Sequence, residues 1–244
     1  MNMRPFTLSR LVDVVRLARA LRGVRVEDVE DAMMVNRDRA VDLLSQAEEM
    51  KLLRRDGELY YSTILGNTFF EAYINGDRAK LDEVLNDYKP YYAVKSIISQ
   101  KSVSVDELKV LTNLTEVAVE MILRLLQYTC DNLCFMNGKV FLSVKELPEM
   151  AEFYSTLRKT YFELSKGSQW GCSNSFIRVD KIAVSVCQEL RLSMDDFSKM
   201  LNKLIGSNAA VDLHSEGISY DFLPFADRRI NPASYRKCYI RLRE

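Results

Sequence analysis

The chain has 244 residues, of which 48% are hydrophobic and 28% are charged, a balance typical of a globular protein with one large domain or several small ones. Its 34 basic and 34 acidic side chains give a formal net charge of zero. That charge excludes a long-range field favouring nucleic acid or an anionic membrane, so any such attraction must be local.

The side chains needed for common metal sites and active sites are scarce. Five cysteines form no even framework, and His214 is the sole histidine, so we expect free thiols in a reducing cytoplasm, no metal and no other cofactor. Neither a phosphate-binding glycine loop nor a histidine-based triad is present, and we expect no enzyme, although carboxylate chemistry stays open. No apolar run of about 18 residues occurs, which predicts a cytoplasmic protein without a membrane partner.

Three helices are predicted at the start of the chain. Apolar residues recur at helical spacing over 8–21, and Gly23 ends that run. A short second helix over 26–33 has acidic residues in its first turn, where they complement the helix dipole. Asn36 is a candidate N-cap for a third helix that runs to Met50.

A β-hairpin is predicted directly after the third helix. In KLLRRDGELYYSTILG, the Asp56-Gly57 pair separates two β-prone runs, and a tight hairpin turn needs the positive φ that glycine accepts. The turn should project into solvent. Arg54 and Arg55 precede it and could contact a phosphate backbone or simply solubilise the turn.

The same order of elements recurs downstream. Residues 91–143 repeat the pattern of helix, short helix, helix and hairpin, with Gly138 in the place of Gly57, and such self-similarity indicates a duplicated unit. A long helix over 145–165 follows. Beyond it we predict a helix over 176–190, a helix capped by Ser193 and a strand within 235–243, and the interval 207–234 receives no assignment.

Leu-Leu-Arg-Arg-Asp-Gly followed by Tyr-Tyr-Ser-Thr-Ile-Leu-Gly resembles the wing and following turn of winged-helix domains in many microbial transcription regulators. The resemblance covers 8–75 well, 90–145 moderately and the last block weakly. It implies an α+β fold that is mainly α with small β-hairpins, arranged as tandem winged-helix domains. These are domain one over 1–88, domain two with a long C-terminal helix over 89–166, and a divergent third over 167–244.

The resemblance also implies double-stranded DNA as a partner, with the third helix in the major groove and the wing on the backbone. The implied contacts are Asn36, Arg37, Arg39, Arg54 and Arg55. Helical periodicity, however, places Asp38, Asp42, Ser45 and Glu49 opposite the buried stripe. Carboxylates on that face would repel phosphates.

The corresponding helix of the second unit differs in chemistry. Periodicity over 116–128 exposes a mixed apolar face that suits a protein partner or self-association and comprises Val117, Glu120, Met121, Arg124 and Tyr128. Alternatively, some of these side chains pack against a neighbouring unit.

Cations also gather near the end of the chain: Arg228, Arg229, Arg236, Lys237, Arg241 and Arg243. A period-two pattern in YRKCYIRLR buries Cys238, Ile240 and Leu242 and leaves Lys237, Tyr239, Arg241 and Arg243 on one open face. Cations interleaved with an aromatic residue suit nucleic acid, whereas the same charges could also protect an edge strand.

Two functions follow. The first is a non-catalytic DNA-binding protein, either a transcription regulator or a component of a DNA-processing assembly, that contacts phosphates through wing and C-terminal arginines. The second is a protein-interaction scaffold built from winged-helix units that does not bind DNA directly.

Overall fold

A computed structural model describes residues 6–166, 176–207, 211–215, 218–219 and 238–242. These residues contain eleven α-helices and small antiparallel sheets, which confirms the predicted α+β class. The chain packs as two compact units, the first made of Met1–Ser99 with Val103–Leu133 and the second of Gln100–Ser102 with Cys134–Glu244. The three-domain division made from the sequence stays a prediction.

The first unit contains most of the helices. Its elements are α1 (Leu8–Ala20), α2 (Val26–Met33), α3 (Arg37–Glu49), β1 (Leu53–Asp56), β2 (Leu59–Ser62), α4 (Ile64–Ile74), α5 (Arg78–Leu85), α6 (Lys89–Ile98), β3 (Val103–Ser104), α7 (Val105–Thr112) and α8 (Glu116–Thr129). Helices α1 to α3 and the hairpin β1–β2 confirm the predictions. Helices α4 and α5 were not predicted.

Side-chain caps begin most helices of this unit, α2 and α6 excepted. Asn36 Oδ1 accepts a hydrogen bond from the Arg39 backbone N–H at 2.9 Å, which confirms it as the N-cap of α3. The stripe predicted for α3 is buried in full: Ala40, Leu43, Leu44, Ala47 and Met50. Apolar burial on that face therefore fixes which face of α3 remains for solvent.

A third extended segment joins the hairpin to the helices. Strands β1 and β2 pair from Leu53↔Ser62 to Asp56↔Leu59, which leaves a two-residue loop beginning at Gly57, whose φ is +62°. Val24 then pairs with Tyr60 through two backbone hydrogen bonds, Val24 N–H to Tyr60 O at 3.0 Å and Tyr60 N–H to Val24 O at 2.9 Å. Both side chains are buried, so the second strand of the hairpin is anchored to the core.

Helix α4 approaches the end of α3 closely. Thr63 caps α4 by accepting from the Gly66 N–H at 2.9 Å, and its hydroxyl donates to the Lys51 carbonyl oxygen at 2.7 Å. A Cβ on Gly66 would collide with the Leu52 carbonyl oxygen. This contact explains why glycine follows Ile64-Leu65 in the first turn of α4.

A partly buried polar network links α5, α6 and α8. The Tyr91 hydroxyl donates to Asp82 Oδ1 at 2.6 Å and lies 2.6 Å from Thr129 Oγ1, and Lys95 also donates to Asp82. Burial and the nearby carboxylate of Asp82 raise the pKa of Tyr91, so the phenol stays a neutral donor. Burial opposes ionisation of Asp82, but hydrogen bonds from Lys95 and Tyr91 outweigh it and lower the pKa of Asp82.

The second unit combines three helices with a sheet. Its elements are β4 (Leu133–Met136), β5 (Lys139–Leu142), α9 (Met150–Lys166), β6 (Ile177–Arg178), α10 (Val179–Leu190), α11 (Met194–Ser207), β7 (Val211–Ser215), β8 (Ile218–Ser219) and β9 (Cys238–Leu242). The sheet order is β6-β9-β7-β8. Its inner face packs with α9, α10 and α11 around Phe153, Tyr161 and Phe197.

Two predicted helix starts in the second unit were wrong. Helix α9 begins at Met150 instead of residue 145, because Pro148 disfavours helical backbone in the residue before it. Helix α10 begins at Val179 instead of residue 176, because Ile177 and Arg178 pair with Ile240 and Tyr239 of β9. The Ser193 cap is confirmed, since its hydroxyl accepts from the Asp196 N–H at 3.0 Å.

Among the described residues, no helix has the length and apolar character needed to span a membrane. The same ranges contain no group of three acidic, cysteine or histidine side chains placed to hold a metal ion.

Replacing Tyr91 with Phe tests the polar network. We expect Tyr91→Phe to lower the free energy of unfolding by about 2 kcal/mol, because it removes a hydrogen bond to a charged, partly buried carboxylate. Urea denaturation at pH 7 measures this loss. Tyr92→Phe is the matched control, since Tyr92 is exposed, and it should change the free energy by less than about 0.5 kcal/mol. Equal effects of the two substitutions would contradict the network.

The lowered pKa of Asp82 predicts a pH dependence of stability. An unfolded aspartate has a pKa of about 3.9, and the folded value is lower, so the contribution is complete above about pH 5 and lost as the pH falls through the folded pKa. Urea denaturation measures the free energy of unfolding of the wild type and of Asp82→Asn. The difference between them should therefore shrink as the pH falls from about 6 toward about 3. Asp87→Asn removes an exposed carboxylate nearby and should show no such trend.

Candidate nucleic-acid interface

The first residues of the predicted recognition helix α3 are engaged in contacts with other parts of the protein. Asn36 is occupied as the N-cap, and Arg37 Nη1 lies 2.7 Å from Glu27 Oε1 and 3.5 Å from Glu30 Oε2. These carboxylates raise the pKa of Arg37, while hydrogen bonds from its own backbone and from Arg37 lower the pKa of Glu27. Arg39 is half-buried. The start of α3 thus offers little free positive charge.

The surface of α3 is acidic, as its periodicity predicted. Asp38, Ser45 and Glu49 are exposed, and Asp42 is half-buried. Phosphates approaching along this face would meet carboxylates instead of cations. Helix α3 is therefore poorly suited to lie in a DNA groove.

The hairpin presents its arginines to solvent, as predicted. Arg54 and Arg55 are both exposed, and neither forms an ion pair with another described residue. The Arg54 guanidinium lies 5.9 Å from the ring centroid of Tyr61, and that of Arg55 lies 5.5 Å from the ring centroid of Tyr60. Arg55 Nε also donates to the Gly57 carbonyl oxygen at 2.9 Å. The cross-strand tyrosines support the cations without neutralising them.

A third arginine lies beside the hairpin, and the sequence analysis missed it. Gly23, with φ of +127°, packs against Tyr61 so closely that a Cβ would lie 2.8 Å from Tyr61 Cε1. The adjacent Arg22 is exposed and forms no side-chain hydrogen bond or ion pair with other described residues. Arg22, Arg54 and Tyr61 together form what we call the Tyr61 face. The feature that places Arg22 here is Val24, two residues later, because pairing of Val24 with Tyr60 holds its neighbours beside the hairpin.

Helix α8 is only partly the exposed face expected from periodicity. Val117 and Arg124 are exposed, but Met121 is 3% exposed, so its prediction as an exposed contact was wrong. Tyr128 is half-buried and stacks on Tyr73, with ring centroids 5.8 Å apart. Met121 and Tyr128 thus favour the alternative, in which these side chains pack within the protein. The packing partner of Tyr128 is Tyr73, which lies in the same compact unit.

A different apolar surface is exposed at the junction of α7 and α8. Val110 is 82% exposed, Leu111 52% and Val117 38%. We call these three residues the α7–α8 patch. Their exposure is the observation that favours a protein partner.

Within residues 238–242, the described part of the C-terminal strand, the face predicted to be open carries one cation, Arg241, and it is paired. Burial of Cys238, Ile240 and Leu242 is confirmed, but β9 lies between β6 and β7, so its assignment to a sheet edge was wrong. Arg241 Nη2 donates to Asp212 Oδ2 at 2.7 Å, and its guanidinium lies 4.8 Å from the Phe176 ring centroid. The charge of Arg241 is therefore committed to a buried carboxylate.

The other predicted C-terminal contacts divide into two groups. Tyr239 lies in β9 and is half-buried. The remaining cations lie outside the described residues: Arg228, Arg229, Arg236, Lys237 and Arg243.

Comparison of the chain with protein-family models, curated proteins and solved structures gave no match. The functional inference therefore depends on the geometry of the residues themselves.

The pair formed by Arg241 and Asp212 gives a stability prediction for the second unit. Asp212 is 6% exposed, so Arg241→Ala leaves a buried carboxylate without its cation, and we expect a loss of about 3 kcal/mol in the free energy of unfolding. Denaturant titration provides the measurement. Lys199→Ala, which breaks an exposed pair with Asp196, should cost less than about 1 kcal/mol. If Asp212→Ala with Arg241→Ala is no more stable than Arg241→Ala alone, the unpaired carboxylate is not the cause.

Proposed function

We propose that the protein is built from tandem winged-helix units. In the first unit the order is α1, the Val24 segment, α2, α3, β1 and β2, and Val24 pairs with the second hairpin strand. From α9 onward the order in the second unit is α9, β6, α10, α11, β7, the additional short strand β8, and β9. Strand β6 likewise pairs with the last strand, which also pairs with β7. One order of elements with one pattern of strand pairing, found in both units, supports a duplicated winged helix.

The middle of the chain supports the same proposal by its element order. Helix α6 is followed by β3, α7, α8, β4 and β5. Ser104 caps α7 by accepting from the Glu107 N–H at 3.2 Å, and the Glu107 carboxylate accepts from the Ser104 N–H at 2.7 Å. At the equivalent place in the first unit, the Asp28 carboxylate accepts from the Arg25 N–H at 2.7 Å. Both short helices thus begin with an acidic residue that caps the preceding strand segment.

We propose further that the protein is a non-catalytic DNA-binding protein that contacts duplex phosphates through its first hairpin. The observation that carries this proposal is that Arg54 and Arg55 are exposed on a protruding hairpin without a carboxylate partner among the described residues. Other arginines of this unit do have such a partner, as in the pairs Arg37–Glu27 and Arg19–Glu71. Unpaired guanidinium groups on a projecting strand pair are suited to phosphate contact.

The same geometry favours binding that is independent of base sequence. In a helix-turn-helix protein, base readout comes mainly from side chains on the helix that enters the major groove, which in the proposed fold is α3. The exposed face of α3 instead carries Asp38 and Glu49, and Asn36 and Arg37 are held within the fold. A component of a DNA-processing assembly accordingly fits the charge pattern better than a regulator specific for one operator.

A protein-interaction scaffold is the second candidate, and the α7–α8 patch favours it. Three exposed apolar side chains at one helix junction suit contact with another protein better than contact with phosphates. The two candidates use different surfaces of the first unit. They can therefore be separated by substitutions on the hairpin.

Removing both hairpin arginines tests the DNA-binding proposal. We expect Arg54→Ala with Arg55→Ala to weaken binding to a labelled duplex at least about tenfold, equally for unrelated sequences, because phosphate contacts carry no sequence information. Fluorescence anisotropy at several salt concentrations measures it. The slope of log affinity against log salt should decrease in magnitude by about 1.8, the value expected for two lost phosphate contacts.

The control removes the same charge elsewhere. Lys80 and Lys89 are also exposed cations of the first unit, so Lys80→Ala with Lys89→Ala leaves the net charge equal to that of the hairpin variant. If both double variants lose the same affinity, the hairpin is not the contact. If the wild type fails to bind duplex at low salt, DNA binding is rejected and the scaffold remains.

A further inference from the structure

A polar pocket that is largely open to solvent, which we call the cavity, lies next to the hairpin in the first unit. It has a volume of about 350 Å³ and is lined by Ala18, Arg19, Arg22, Tyr61, Ser62 and Asn67. These residues come from α1, the turn after it, β2 and α4. The Val24–Tyr60 pairing, which follows the end of α1 directly, helps to hold that end beside β2 and so contributes to the shape of the cavity.

Two arginines give the cavity an excess of positive charge. Arg19 Nη2 lies 3.1 Å from Glu71 Oε1, whereas Arg22 has no ion pair among the residues that the structure describes. Glu71 is well exposed, so its carboxylate is screened by water more strongly than a buried one would be. Two guanidinium groups against one exposed carboxylate favour an anionic ligand.

Arg19 is held in a fixed position at the cavity wall. Its guanidinium lies 4.6 Å from the Phe70 ring centroid. Its Nη1 atom is enclosed and has no hydrogen-bond partner among the described residues. An enclosed donor of a charged group without an acceptor is costly, and a nearby anion would reduce that cost electrostatically.

Neutral donors complement the charge. Ser62 Oγ donates to Asn67 Oδ1 at 2.9 Å, which leaves the Asn67 amide nitrogen as a donor in a cavity that this residue lines. Tyr61 also lines the cavity and carries a phenolic hydroxyl. Guanidinium, amide and hydroxyl groups together match an oxyanion with several acceptor oxygens.

We infer that this cavity binds a phosphate group. A tetrahedral phosphate offers more acceptors than a carboxylate, which suits donors that come from α1, β2 and α4. The volume of the cavity lies at the small end of the range for ligand sites. The group can come from two sources, a free phosphate ester or the backbone of a nucleic acid. Only the second source rests on the proposed function: Arg22 lies on the Tyr61 face with Arg54, so a DNA backbone bound by the hairpin could also reach the cavity.

The first experiment uses inorganic phosphate as the probe. The full-length protein, labelled with ¹⁵N, is titrated with phosphate at constant ionic strength, and the side-chain amide signals of Asn67 are followed by NMR. We expect saturable shifts with phosphate, smaller effects with acetate, and a dissociation constant for phosphate that rises about tenfold in Arg22→Gln, as expected for the loss of one charge-assisted hydrogen bond.

The control is Arg16→Gln, which removes an exposed arginine from the same helix, one that pairs with Asp13 and does not line the cavity. It should leave phosphate binding unchanged within about twofold, as expected for independent sites. Arg55→Ala should likewise leave it unchanged, because Arg55 lies over Tyr60 and neither residue lines the cavity.

The second experiment measures duplex DNA binding by the same variants. If free phosphate does not bind but Arg22→Gln weakens DNA binding about tenfold more than Arg16→Gln, the phosphate belongs to a nucleic acid. If Arg22→Gln and Arg16→Gln match in both experiments, the inference is overturned. The hairpin double variant then still decides the proposed function independently.

Discussion

The pairing of Val24 with Tyr60 is the constraint on which the candidate interface depends. Two backbone hydrogen bonds attach the segment after α1 to the second strand of the hairpin, and both side chains are buried. A two-stranded hairpin by itself is marginally stable in water, so pairing with this third segment stabilises the strands that carry Arg54 and Arg55. It also packs Gly23 against Tyr61 and thereby places Arg22 beside the hairpin.

The distribution of charge pairs explains how a protein with zero net charge can still attract an anion locally. Many cations are already satisfied within the fold: Lys95 by Asp82, Arg37 by Glu27 and Arg241 by Asp212. Arg22 and Arg54 differ because they lie on the Tyr61 face without such a partner among the described residues. Pairing status, more than the number of arginines, therefore distinguishes a surface suited to phosphate from a solvated one.

The same arrangement of helices supports different surfaces along the chain. Helix α3 has an acidic face, α8 adjoins an exposed apolar patch, and α11 exposes Lys199 next to Asp196. Under the proposed duplication, buried positions would keep one fold while exposed positions vary in chemistry. The proposed units would in this way provide one surface for phosphates and another for a protein.

Local sequence determined the helices α1 to α3, the Asn36 and Ser193 caps and the hairpin at Gly57, because caps, periodicity and turn glycines act over a few residues. It also located the acidic face of α3 and the exposure of Arg54 and Arg55. Only the tertiary structure decided that Met121 is buried, that β9 is an inner strand and that Arg241 is bound to Asp212. Those outcomes depend on residues distant in the chain, as does the cavity between α1 and β2, and a local pattern contains no information about which distant partner a side chain will meet.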